Sequence, residues 1–337
     1  MSVNQDQTAI AAKGEEFRDD VRKRLPPEVL ARFTAVSAWR STLALATTLA
    51  LLALLIAAGL ELWWWQPLAL IPIVILIGVE QHALFVLAHD AAHYRLYDWR
   101  WLNDFVGRAV GSVAGISMCT YRVIHRLHHN HLYQAQDPDT ALHGGYPRGK
   151  AYLWKKLATD LCGLTAWKTY AYFFGEPAVN AETGKALRPL DDTSSRLRAQ
   201  ARADRRGVIA FHAIAFVVSY YFGYCVEYFV LWLLPLLTVV QAILRLRAVC
   251  EHGAVTDFSS PLTAARTNIF PWPLGALLFP HHVNYHIEHH LYPAVPHYYL
   301  PQLHAELVKH GILAGAEVIP LSRTFAKIFG ERRPAAA

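Results

Sequence analysis

Apolar residues along this chain gather in two long blocks. From Ser41 to Tyr94 there is no Lys or Arg, and the same holds from Gly207 to Leu244. Each block has room for two membrane-spanning helices of about 20 residues. The first divides at ELWWWQP, where Glu61, Trp63 to Trp65 and Pro67 separate the apolar runs Ser41 to Leu60 and Leu68 to Ala88. A tryptophan cluster at such a turn belongs at a membrane–water interface. The second divides near YFGYCVEY, with Gly223 and Glu227 between the runs Gly207 to Tyr221 and Tyr228 to about Val249. The pattern predicts an all-α integral membrane protein with four transmembrane helices in two hairpins.

Between the hairpins, Phe105 to Tyr121 is apolar but short and glycine-rich, which predicts a re-entrant or interfacial helix returning to the side it started from. Residues 151 to 174 mix aromatics with Lys155, Lys156 and Lys168, as helices lying on a membrane surface do. An ordinary amphipathic helix fits that stretch almost as well.

Charge orients the hairpins. All 32 Lys and Arg residues lie outside the two blocks. The positive-inside tendency places the N-terminal segment (1–40), the middle region (95–206) and the C-terminal region (251–337) in the cytoplasm, with hairpins at 41–94 and 207–250. The net charge of +6 then reads as topology and attraction to anionic lipid, and no motif supports nucleic-acid binding. The first forty residues are polar, so no secretory signal is expected and the N-terminus is expected to stay inside. Cys119, Cys162, Cys225 and Cys250 stand alone, without the spacing of a zinc knuckle, an iron–sulfur site or a disulfide framework.

The candidate chemistry is histidine. HHVNYHIEHH, residues 281 to 290, carries His286, His289 and His290 at i, i+3 and i+4, one face of a helix. His125, His128 and His129 repeat that spacing, and His89 with His93 adds an i, i+4 pair. His252 follows the fourth apolar run, where a residue leaving that helix would meet the others. All sit where spans reach the cytoplasmic boundary. Nine imidazoles exceed the four of a tetrahedral zinc site and suit two metal ions with four or five nitrogens each. Imidazole alone does not select among zinc, copper, iron and nickel. His82 and His212 read as satisfied core residues, and His131, His281 and His282 are left out of the ligand set.

HDAAH (89–93), HRLHHNH (125–131) followed by DPD (137–139), and NYHIEHHLYPAVP (284–296) resemble the three histidine boxes of the membrane fatty acid desaturase superfamily. With RLRAVCEHG before it, the last box is similar to the bacterial branch that includes the rhizobitoxine-type desaturases. The resemblance runs from about Glu80 to His304. It implies a non-haem di-iron enzyme of the bacterial inner membrane, with a cytoplasmic helical cap carrying the di-metal site, that uses O2 and two electrons to put a double bond into a fatty-acyl chain. Carried over by motif, the iron ligands are His89 and His93, then His125, His128 and His129, then His286, His289 and His290. Glu251 with His252 matches a glutamate–histidine pair that supplies a further ligand in the related alkane hydroxylases. No cytochrome domain or rubredoxin-like cysteine set is visible, so the electrons are expected from a separate, ferredoxin-like carrier.

Chemistry agrees with the resemblance, because redox-inert zinc cannot oxidise a saturated chain whereas imidazole-held iron can cycle and leave positions for O2. Candidate carboxylates to orient the imidazoles are Asp90, Asp137, Asp139, Glu251 and Glu288, each equally readable as a solvated loop residue or cap. Glu80 and Gln81, inside the second run, are expected to face the bundle interior. Hydroxylases, ketolases and alkene-forming decarboxylases share the boxes. A non-catalytic membrane metal-binding protein, the remaining alternative, would place its ligands at mid-bilayer.

Overall fold

The computed structural model describes residues 20–330 except 182, 256, 272 and 273. It is mostly helical, with two short strand pairs: Ala178–Val179 against Ala186–Leu187, antiparallel, and Thr267–Ile269 against Val318–Pro320, parallel. The all-α expectation missed these pairs because strands of two or three residues carry no readable period.

Among the described residues three helices are long and apolar enough to cross a membrane: Ala38–Leu62, Pro67–Ala92 and Cys225–His252. The first starts where the Ser37 hydroxyl accepts the Arg40 N–H, and it turns Leu43, Leu49, Leu51 and Leu54 outward. Such a face suits lipid rather than water. Pro67–Ala92 is the central helix. It packs against Ala38–Leu62, against Arg100–Ala114 and against the Cys225–His252 span. Gly78 permits the last contact, since a Cβ there would stand 2.6 Å from Val239 Cβ. Small residues at helix crossings in a bilayer allow this close approach.

The expected third span differs. Residues 207–221 form the end of a 27-residue helix, Ser195–Tyr221, begun by the Ser194 hydroxyl accepting the Leu197 N–H. Its first half carries Arg196, Arg198, Arg202, Arg205 and Arg206. Its apolar part is about 22 Å long at 1.5 Å per residue, short of the roughly 30 Å of hydrocarbon in a bilayer. Ile214, Val217, Tyr220 and Tyr221 on that part are exposed.

The last span is less regular than its run of apolar residues suggests. It contains a π-turn at Phe229–Leu233, then Pro235, and breaks at Thr238 (φ −125°, ψ −76°). Proline has no N–H to give and disturbs the turn before it. Buried amides stand in for missing backbone donors: Gln241 Nε2 donates to the Leu236 carbonyl at 2.8 Å, and Gln81 Nε2 to that of Trp232 at 2.9 Å. Gln81 therefore faces the bundle, as a polar group at that depth must. Glu80 beside it is only partly buried.

The stretch expected as one re-entrant helix, 105–121, is two helices, Arg100–Ala114 and Met118–Asn130. Gly115 separates them at φ 81°, a left-handed position glycine takes without strain. The 151–174 stretch likewise divides, into Gly149–Leu161 and Ala166–Phe173, and exposes Trp154, Leu161, Leu164 and Trp167. Val21 and Leu25 pack into one apolar cluster with Leu262, Ile287, Leu291, Leu300 and Leu303. The segment before the first span and the region after the last therefore share a core.

Candidate metal centre

Four chain segments bring nine imidazoles together. His89 occupies the last turn of Pro67–Ala92, and His93 follows as its cap. His125, His128 and His129 share one face of Met118–Asn130, and His252 is the final residue of its span. His286, His289 and His290 stand on the short helix His286–Leu291. Both spans deliver their histidines at the same end, so one face of the bundle carries all of them.

The nine divide into two groups. His89, His93, His125, His129 and His289 form one, and His128, His252, His286 and His290 the other, each drawn to within 4.8 Å. In the first group the Nε2 atoms of His89 and His129 lie 3.0 and 2.9 Å from that of His289, and His125 Nε2 is 2.9 Å from His129 Nε2. In the second, His252 Nε2 lies 2.7 Å from His286 Nε2 and 3.2 Å from His128 Nε2, and His290 Nε2 is 3.1 Å from His286 Nε2.

A neutral imidazole nitrogen carries either one hydrogen or one lone pair, so these closed sets cannot all be satisfied as donor–acceptor pairs. A central cation resolves the conflict. Neighbouring nitrogens around an ion at about 2.1 Å stand about 3 to 3.4 Å apart in regular coordination. The donor set therefore fits two metal ions, one held by up to five nitrogens and one by four.

Electrostatics agrees. Burial, followed by the other imidazoles, keeps His125, His129, His286, His289 and His290 well below the usual histidine range, and His93 falls to about 3. Neutral imidazole is the ligand form. His128 is the exception. Burial pulls it down, but Asp137 and its hydrogen bond outweigh burial and hold it up at about 9. Its Nδ1–H donates to Asp137 Oδ1 at 3.0 Å, which fixes the tautomer and leaves Nε2 for the group. A cation bound at Nε2 would take the place of the second proton.

The carboxylates expected to orient ligands divide. Asp137 is fully buried and also accepts the backbone N–H groups of Tyr133 and Asp139, at 2.9 and 3.0 Å. Asp139 stands 3.8 Å from His128 Nδ1 and accepts the Tyr172 hydroxyl at 2.7 Å. Glu251 lies 3.7 Å from His286 Nε2 and pairs with Arg247 at 2.7 Å. Asp90 Oδ1 is 3.6 Å from His89 Nδ1, while its Oδ2 accepts the His297 ring N–H at 2.7 Å. Glu288 reaches no imidazole of either group. It is held by Thr267 Oγ1 at 2.6 Å and by His304 Nδ1, because on a helix it points away from the face that His286, His289 and His290 share.

The histidines set aside lie elsewhere. His281 Nε2 is 3.2 Å from Thr48 Oγ1, His131 Nδ1 is 3.2 Å from Gln134 Oε1, and His212 Nδ1 is 3.3 Å from the Tyr228 hydroxyl. His82 is buried with Nε2 3.4 Å from Arg247.

Other residues at the centre carried no readable signal. Arg266 is fully buried and donates through Nη1 to the carbonyls of Cys250 and Gly253, both at 3.0 Å, locking the helix end that presents His252. His143 forms a third group with His128 and Asp137. Asp137 already accepts from three N–H groups, so this third group is a poor cation site.

One cavity touches both groups. His125 borders it from the first, and His128, His252 and His286 from the second. Phe85, Phe173 and Leu244 form apolar wall, and Asp139, His143 and Arg247 polar wall. The centre thus joins two imidazole clusters to a largely apolar chamber beside the ends of two candidate spans.

Residues 63–318 match the model of the family described as "Fatty acid desaturase", and the chain belongs to that family. Among individual relatives it is 27% identical over 252 residues to the dihydrorhizobitoxine desaturase of Bradyrhizobium elkanii, covering 71% of this chain and 66% of the relative. It is 24% identical to the endoplasmic reticulum omega-6 fatty acid desaturase isozyme 1 of Glycine max, over 69% of this chain and 65% of that one. Against the delta(12) fatty acid desaturase fat-2 of Caenorhabditis elegans it is 22% identical, over 72% and 63%. The chain spans just under two thirds of the length of these relatives.

Proposed function

We propose that this protein is an O2-dependent membrane oxidoreductase that introduces a double bond into a fatty-acyl chain. Two irons would be held by His89, His93, His125, His129 and His289, and by His128, His252, His286 and His290. The observation that carries the reading is the pair of closed imidazole groups bordering one chamber. Family membership supports the choice of reaction, and all three relatives above are named as desaturases.

Irons bound there would supply the activation of O2 and the removal of hydrogen from an unactivated methylene. The chain's own residues do the rest. Asp137 holds His128 with Nε2 directed at its group, and Glu251 and Asp90 sit beside His286 and His89. Phe85, Phe173 and Leu244 keep water from the reacting carbon and suit an acyl chain. The electrons come from a separate ferredoxin-like carrier.

For topology the reading is four spans, with residues 207–221 as the third, and both termini and the metal centre in the cytoplasm of a bacterium's inner membrane. Support comes from the outward apolar side chains of 207–221 and from the core shared by the segments flanking the spans. A reporter fused after Trp65 should register outside and one at the C-terminus inside. The same side for both would end this topology.

The reaction is tested by lipid analysis of a host expressing the protein, with mass-spectrometric location of any new double bond or oxygen. A new alkene that disappears with His286→Ala is the expected result. A new hydroxyl or ketone in its place would move the protein to the hydroxylases or ketolases, and unchanged lipids would remove the reading.

A further inference from the structure

A groove lies at the end of the helix bundle away from the histidines. It runs between three helices, lined by Ile56 and Leu60 of Ala38–Leu62, Phe211 and Ala215 of Ser195–Tyr221, and Leu231 of the last span. Its volume is about 350 Å³, inside the range of roughly 300 to 1,000 Å³ usual for sites that hold small molecules. Ile214, Val217 and Val226, next to lining residues in sequence, are exposed, so the groove opens onto a surface that suits hydrocarbon. Tyr220, Tyr221 and Tyr224 at the same end are exposed aromatics of the kind that settle at the headgroup level.

One lining residue is charged. Glu227 is half-buried, and its carboxylate is neither sealed from the surface nor joined by an ion pair or hydrogen bond among the described residues. The helix dipole favours a carboxylate in a first turn, but it does not explain an apolar groove that ends on one. Nor does a cation of the chain serve it. Neither Ser41 to Tyr94 nor Gly207 to Leu244 contains Lys or Arg, so the spans present Glu61 and Glu227 at this end with no basic residue to match.

We propose that the groove binds a phospholipid with a primary-amine headgroup, phosphatidylethanolamine, with one acyl tail between the helices and the ammonium at Glu227. The ammonium donates a charge-assisted hydrogen bond to the carboxylate. A phosphatidylglycerol with the same tails brings a net negative charge to the same place and is disfavoured. The site goes beyond the desaturase reading. It needs the groove to lie in the bilayer, and depends neither on the metal centre nor on the side of the membrane to which this end belongs.

The test is native mass spectrometry of the full-length protein in detergent, titrated with palmitoyl-oleoyl phosphatidylethanolamine or with phosphatidylglycerol of the same tails. The ethanolamine lipid should bind about tenfold more tightly, the scale of one hydrogen bond to a charged group. Glu227→Gln should make the two lipids bind alike. Glu61→Gln, at an exposed carboxylate outside the groove, should leave the preference as it was. Ala215→Trp fills the groove and should weaken both lipids, and Ser219→Phe carries the same comparison if that variant does not fold.

The proposal is overturned if the wild type binds both lipids alike, if the preference survives Glu227→Gln, or if a filled groove binds both as the wild type does. A dimer mass that Ala215→Trp abolishes would give the groove to a second copy of the chain and overturn it too. Removing metal with a chelator should leave the preference intact, and its loss would overturn a site independent of the metal centre. Iron counted on the same samples tests the di-iron reading separately.

Discussion

The two imidazole groups are unequal in number and in surroundings. The five-membered group is nearly all imidazole, and its nearest carboxylate, Asp90, spends its shorter contacts on His297. The four-membered group lies against Asp137, Asp139 and Glu251, and three of its members border the chamber, against one from the other group. The first group is richer in imidazoles, while the second has fewer imidazoles and more negative charge around them. The second should tolerate the loss of a ligand least, and should feel the loss of a carboxylate most.

The largest effect expected follows directly. His252→Ala leaves three ligands in its group and should take iron from about two per chain to about one, with turnover abolished and the protein still folded in the membrane. His93→Ala leaves four in the other group and should lose less iron. Equal losses, measured by metal analysis of both variants, would erase the distinction. A His252→Ala protein with two irons and full activity would show that residue to be only a helix cap.

Next in size is the carboxylate. Asp137→Asn keeps the shape but weakens the acceptor at His128 Nδ1, and competition with a chelator should show about 10- to 100-fold weaker binding of one metal, with the other unchanged. Arg266→Met acts through support: it strips a buried charge from Glu317 and two donors from the carbonyls at the His252 helix end. Thermal unfolding in detergent should register a loss of about 3 to 5 kcal/mol. The smallest effect is His304→Ala, which leaves buried Glu288 short of one partner. A loss of about 1 to 3 kcal/mol with full iron content is expected.

Legibility in the sequence followed distance along the chain. The three boxes could be read because their ligands lie three and four residues apart on single helices, so local periodicity alone puts them on one face. His252 was legible because it ends a long apolar run. His143 and His297 were not, since each is a solitary histidine brought in by tertiary contact. Arg266 gave no hint of capping a helix that ended fourteen residues earlier. Glu288 misled by sitting between ligands: proximity in sequence on a helix places it on the opposite side from them, toward Thr267 and His304. Composition marked the apolar stretch 207–221 but not that its helix starts at Ser195, because five arginines hide the helix from a hydropathy reading. The π-turn at Phe229–Leu233 had Pro235 as its only trace.

The central claim is that two irons occupy two unlike imidazole groups. Metal analysis of active, full-length protein purified from iron-replete cells tests it most directly. The account predicts close to two irons per chain, and one zinc per chain with no iron in active material would contradict it.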